Sequence, residues 1–186
     1  MSAVNKQLLD AYSCVGKGWW PLLEKYIPAM QAIDPDCTFD VKEKYAELRL
    51  QATPSVDCED YDTFWRLEQE AEDASAHICE YCGQPGRLCR ENRSWYLTLC
   101  DDCNTLDKEG LHDLYLEKQL LLGKKYEAAI GPERAKELRE QWCTLPDNNT
   151  LQSDEYKVWY RSLTHEEQGA VLGWNAEVED YVRNEM

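Results

Sequence analysis

A chain of 186 residues, 43% of them hydrophobic, fits one domain or one domain with an extension, and can build a core without disulfide staples. Its formal net charge of −16, from 36 acidic and 20 basic residues, disfavours attraction of the whole molecule to nucleic-acid phosphate or anionic lipid. No segment approaches about 18 uninterrupted apolar residues, and MSAVNKQLLDAYS has neither a basic start before an apolar stretch nor an Arg-rich amphipathic pattern, so we expect a cytoplasmic protein without a membrane segment.

Taken in chain order, residues 3–13 predict a short helix, and after the Gly16 and Gly18 break the spacing of WWPLLEKYIPAMQAI predicts a second over 19–33. Pro21 suits its first turn, and Pro28 is expected to kink it. In 34–52, Phe39 and Val41, then Leu48 and Leu50, alternate with polar residues on either side of a charged stretch, the pattern of a two-stranded hairpin over 37–51. Helical spacing returns over 61–77, with Phe64, Leu67, Ala71 and Ala74 on one stripe. Beyond the cysteine region at 79–103, a long helix is predicted from Asp107 to Ile130, ended by Gly131. Pro132 then opens another that reaches Trp142. The turn formers of 144–155 read as a loop or linker. Thr164 with Glu167 three residues later forms a capping-box pattern ahead of a C-terminal helix.

The strongest local signal lies in the cysteines. Nine is an odd number, and four of them form two CxxC pairs, Cys79 with Cys82 and Cys100 with Cys103, separated by residues 83–99. Two residues between cysteines let the backbone turn tightly enough for both sulfurs to reach one ion at about 2.3 Å, and Gly83 relieves crowding just after the first turn. The intervening GRLCRENRSWYLTL can form a hairpin that brings the pairs together. Four thiolates complete a tetrahedron and leave no position for an activated water, so one structural Zn²⁺ is expected, with redox exchange as the competing reading. His77 and Cys89 lie close in sequence, but neither is needed to complete the set.

Between the pairs the charge reverses. Arg87, Arg90 and Arg93 accompany Trp95 and Tyr96, a composition suited to phosphate and base contact over 84–99, although a solvated hairpin tip has the same composition. No Gly-x-Ser-x-Gly or phosphate-binding glycine loop occurs, and His77, His112 and His165 are scattered, so the sequence assigns no catalytic residue and gives little support to an enzyme.

Across residues 15–103, the run VGKGWWPLL, DVKEKYAELRL, QEAEDAS, CEYCGQPGRL and WYLTLCDDC resembles a group of small, mostly uncharacterised zinc-knuckle proteins encoded by phages, prophages and mobile elements. The matching positions include Gly18, Trp19, Lys42, Glu43, Lys44, Tyr45, Leu48, Arg49, Cys79, Glu80, Cys82, Gly83, Pro85 and Gly86. The chain departs from the group at Ala46 and Glu47, where glycines are commoner, and at Cys103, where a histidine often completes the second knuckle. The resemblance implies a source and an architecture, not an activity.

We therefore expect an α+β protein, mainly α, with one small β-hairpin, a four-cysteine zinc-ribbon segment and a helical C-terminal part. The expected division is 1–103 and 104–186, with 144–155 as a candidate boundary. Trp19, Trp65, Leu67 and Leu99 are expected in the core around the metal. The expected function is that of a non-enzymatic, acidic zinc-binding accessory protein of a phage or mobile element. Its expected partner is a host or defence-system protein, which it would inhibit or modulate by protein binding, DNA mimicry being one route. Fifteen acidic against seven basic residues in 1–78, and nineteen against ten in 100–186, spread the charge over both flanks of the cysteine region. The alternative is a nucleic-acid-binding accessory using Arg87, Arg90, Arg93 and Trp95.

Overall fold

A computed structural model describes residues 5–90, 95–145 and 153–185, the last five through their backbone alone. It contains helices α1 (Lys6–Cys14), α2 (Trp20–Ile33), α3 (Tyr61–Ser75), α4 (Asp101–Thr105), α5 (Lys108–Ile130), α6 (Pro132–Thr144), α7 (Asp154–Ser162) and α8 (His165–Glu185). Two antiparallel hairpins pair β1 (Thr38–Lys44) with β2 (Glu47–Thr53) and β3 (Arg87–Cys89) with β4 (Leu97–Leu99). The architecture is the expected one, mainly α with small hairpins and clustered cysteines. The chain forms two compact units, Met1–Leu111 and His112–Met186, each described by itself below.

In the first unit, Asn5 caps α1, its side chain accepting from the Leu8 N–H. A 3₁₀ turn, Lys17–Trp19, feeds α2, which has Pro21 in its first turn and runs on through the exposed Pro28 to Ile33. Burial of Leu23, Ile27 and Met30, with Trp19 just ahead of the helix, gives α2 the apolar stripe that its spacing predicts.

The β1–β2 register sets Val41 opposite Leu50 and Phe39 opposite Ala52, so the alternating residues share one face. The outer edge of β2 is closed by α3: the Leu48 N–H donates to Ser75 Oγ at 2.9 Å and the Ala52 N–H to the Glu68 carboxylate at 2.6 Å. Edge donors satisfied in this way do not offer a template to another strand. Beside β1, Gln7 of α1 donates to the Cys37 carbonyl.

The two-residue turn of this hairpin is Tyr45–Ala46, with φ of 59° and 67°. Both angles lie in the left-handed region that Asn-Gly normally occupies in such turns. Tertiary bonds hold the turn: the Ala46 N–H donates to Glu43 at 2.8 Å, and the buried Thr98 hydroxyl donates to the Ala46 carbonyl at 2.7 Å. Because Tyr45 is exposed, Tyr45→Asn should relieve strain without losing packing and raise stability by about 0.5–1 kcal/mol, read by urea unfolding. An unchanged or lower midpoint would contradict this.

One expected core residue is misplaced by the sequence reading. Trp65 is 67% exposed, because α3 buries the side defined by Phe64, Ala71 and Ser75, and Trp65 falls on its outer flank. Leu67 is half-buried, while Trp19 and Leu99 are fully buried.

In the second unit, the expected helices from Pro132 and after Thr164 are present; α7 precedes α8, its first two residues within the expected 144–155 loop and the rest unassigned from sequence. Of the expected 144–155 linker, 146–152 lie outside the described residues. The capping box is reciprocal: the Thr164 N–H donates to Glu167 Oε2 at 2.8 Å and the Glu167 N–H to Thr164 Oγ1 at 3.3 Å. Against the effect of its burial, the Thr164 N–H and the Arg134 guanidinium hold the Glu167 carboxyl below the ordinary range. Trp142, Tyr156, Val171 and Trp174 build this unit's core. Among the described residues, no helix of the chain is long and apolar enough to cross a membrane.

Candidate metal centre

The knuckle begins where α3 ends. The His77 carbonyl accepts from the Gly86 N–H at 2.8 Å, and Ile78 bridges to Pro85, so the chain turns back on itself around Cys79. Within that turn the Cys79 N–H donates to the Gln84 carbonyl at 2.7 Å and the Gly83 N–H to the Cys79 carbonyl at 2.9 Å. Gly83 closes the loop at φ 78°, a conformation that costs an L residue with a side chain about 1 kcal/mol or more.

The second pair leaves β4 and enters α4, with Cys100 at its N-cap. Cys100 Sγ accepts from the Cys103 N–H at 3.4 Å. The β3–β4 ladder, Arg87 opposite Leu99 and Cys89 opposite Leu97, sets the separation of the two pairs.

The result is one cluster. The four sulfurs of Cys79, Cys82, Cys100 and Cys103 lie within 4.8 Å of one another, with Cys82 and Cys100 3.6 Å apart. A tetrahedron with metal–sulfur bonds of about 2.3 Å has edges of about 3.8 Å, so the spacing suits one tetrahedral ion. Cys79, Cys100 and Cys103 are buried and Cys82 is exposed. No described cysteine is in a disulfide.

The protonation pattern points the same way. Burial, reinforced by the neighbouring thiols, pushes Cys103 well above the ordinary thiol range, and burial also raises Cys82. For Cys100 burial acts upward too, but the Cys103 backbone N–H and the surrounding thiols outweigh it and hold the group low. One thiolate is thus stabilised by its neighbours while further ionisation is opposed. A divalent cation at the centre reverses that opposition, which is what this donor set requires to become four thiolates.

The surrounding contacts reach far back in the sequence. The Gly18 N–H donates to the Glu80 carbonyl at 2.8 Å, and the Trp19 indole N–H to the Ile78 carbonyl at 2.8 Å. A Cβ on Gly18 would lie 2.0 Å from the Cys79 carbonyl oxygen, and one on Gly16 2.1 Å from that of Glu80. The Gly-Lys-Gly-Trp segment is therefore the seat on which the first knuckle rests. Sequence reasoning treats these glycines as a helix break. Their spacing immediately before a buried Trp is the signal that carried more.

Thr98 ties the other side. Its carbonyl accepts from the Glu80 N–H at 3.0 Å while its hydroxyl reaches the Ala46 carbonyl, joining the knuckle to the first hairpin. Thr98→Val keeps the shape and leaves the Ala46 carbonyl without its donor. The expected loss is about 1–3 kcal/mol in chemical unfolding, and a change within 0.5 kcal/mol, on the order of an ordinary surface substitution, would contradict the assignment.

Of the other residues considered as ligands, Cys89 is buried with its thiol directed to the Arg87 carbonyl, and His77 is exposed. Neither belongs to the cluster. The candidate nucleic-acid residues are only partly assembled. Arg87 pairs with Asp101, the Arg90 guanidinium lies 4.9 Å from the Tyr96 ring centre, and Trp95 is 77% exposed. Arg87, Leu88, Cys89, Arg90 and Asn104 line a shallow open depression. Arg93 lies outside the described residues.

Comparison of the chain with protein-family models, with curated proteins and with solved structures returned no match.

Proposed function

We propose that the four-cysteine cluster holds one structural Zn²⁺, and that the chain is a non-enzymatic accessory protein of a phage or mobile element that binds and modulates a basic host protein. Zinc is the ion that four thiolates at tetrahedral spacing suit best, and a closed set of four sulfurs leaves no coordination position for substrate or water. The observation that carries the binding role is the net charge of −16 combined with indole and phenol rings left on the surface at Trp65, Tyr61 and Tyr45. Exposed indole and phenol faces can stack on a guanidinium, and acidic surroundings select a cationic partner. The resemblance to phage and prophage zinc-knuckle proteins supports a host protein of the defence or nucleic-acid-handling kind, whose DNA-binding groove an acidic surface can occupy.

Immobilised intact protein should retain, at physiological salt, a specific basic protein from a bacterial extract, and duplex DNA should displace it. Recovery of nothing above a blank matrix would overturn the reading.

A second reading rests on Arg90 stacked with Tyr96 beside the exposed Trp95, an arrangement that can engage a phosphate and stack on a base. It requires single-stranded DNA or RNA to bind at low salt, with affinity falling as salt rises and collapsing in Arg90→Ala. Undetectable binding at low salt removes it.

A further inference from the structure

Helix α3 turns an aromatic flank outward. Tyr61 and Trp65, four residues apart and therefore neighbours on the helix surface, are 54% and 67% exposed. The Tyr61 hydroxyl reaches the Ser55 carbonyl at 3.4 Å, and Val56, the next residue, is 94% exposed. No described residue forms a hydrogen bond with the Trp65 indole N–H, which leaves that donor to solvent or a partner.

The stretch that carries these rings is strongly acidic. Between residues 56 and 75 the chain holds eight carboxylates and a single cation, Arg66, which is itself paired with Glu70. Some carboxylates are committed: Glu68 accepts from the Ala52 N–H, and Glu72 pairs with Arg49 at 2.5 Å. Asp57, Glu59 and Asp62, next to Val56 and Tyr61, are exposed and have no ion-pair partner among the described residues.

We propose that this flank of α3, centred on Trp65 and Tyr61, docks an arginine-bearing segment of a basic protein. A guanidinium can lie flat on an indole or phenol face while its N–H groups pair with an adjacent carboxylate, and this site offers both on one side of one helix. The complementarity excludes the other occupants. Nucleic acid is repelled by the carboxylates, and a second copy of the chain, itself at −16 overall, brings like charge. The site rests on the protein-binding reading above and names the surface and the chemistry that reading needs.

The probe is a fluorescently labelled twelve-residue peptide of alternating Arg and Ala, titrated with the intact protein at physiological ionic strength. The wild type should bind it, and Trp65→Ala, which removes an exposed ring without disturbing the core, should weaken binding at least about tenfold. Tyr61→Ala should weaken it less. Trp95→Ala, which removes an exposed indole elsewhere in the unit, should leave the affinity within about twofold. Binding that survives Trp65→Ala, or that falls equally in Trp95→Ala, overturns the site while leaving an acidic protein-binding role in place. Absence of binding by the wild type overturns both.

Discussion

With Zn²⁺ at the proposed site, a high-affinity chelator is expected to unfold the Met1–Leu111 unit. Binding of zinc to four cysteines contributes about 10–16 kcal/mol at neutral pH, whereas a whole domain is stable by only about 5–15 kcal/mol, so the unit does not tolerate its loss. The loss should spread beyond the knuckle, since the Gly18 N–H, the Trp19 indole and Thr98 are all bonded to the stretch around Cys79. Hydrogen exchange is the direct readout. Peptides covering 15–23, 77–90 and 95–105 should lose protection together on chelation, and Cys103→Ser should reproduce the effect without a chelator. Protection that remains unchanged after complete chelation would contradict a structural metal.

Gly18→Ala is expected to weaken the site, although residue 18 carries no ligand. Its Cβ would meet three backbone atoms of the knuckle: the Cys79 oxygen at 2.0 Å, the Gly83 nitrogen at 2.6 Å and the Glu80 carbonyl carbon at 2.9 Å. None of these is a side-chain end that can rotate away. Either the turn carrying Gly18 or the loop carrying Cys79 and Cys82 must move, and a ligand-bearing loop that moves no longer holds its sulfurs at tetrahedral spacing. The expected result is a 10–100-fold loss of zinc affinity in competition with a chromogenic chelator, the range seen when groups that orient ligands are disturbed. Gly110→Ala is the control. Its Cβ meets the flexible Leu106 side chain, and alanine favours the α5 helix in which it sits. Equal affinities for Gly18→Ala and the wild type would show that the N-terminal turn does not support the site.

Elements governed by local pattern were legible in the sequence. The alternation of Phe39, Val41, Leu48 and Leu50 and the Thr164–Glu167 cap each depend on residues a few positions apart, and each appears where its pattern puts it. The two CxxC pairs were legible for the same reason, because each pair is set by its own turn and the short β3–β4 hairpin spans the gap. Trp65 was misread because a large apolar side chain in an amphipathic helix is ordinarily core, while the face of α3 is decided by its contact with β2. The short helices α4 and α7, of five and nine residues, span too few turns to establish a period. The left-handed Tyr45–Ala46 turn has no turn signature in its own residues, since its conformation is held by Glu43 and by Thr98 from a distant strand. The role of Gly16 and Gly18 was hidden for the same reason: the backbone they admit lies some sixty residues away in the chain.

If Cys79, Cys82, Cys100 and Cys103 together hold one metal ion, elemental analysis of protein purified without added metal will find it. We predict about one zinc per chain in the wild type and none when the four cysteines are replaced by serine. A wild-type protein free of metal, with the same four cysteines recovered as thiols or as disulfides, would contradict the account and bring thiol–disulfide exchange forward in its place.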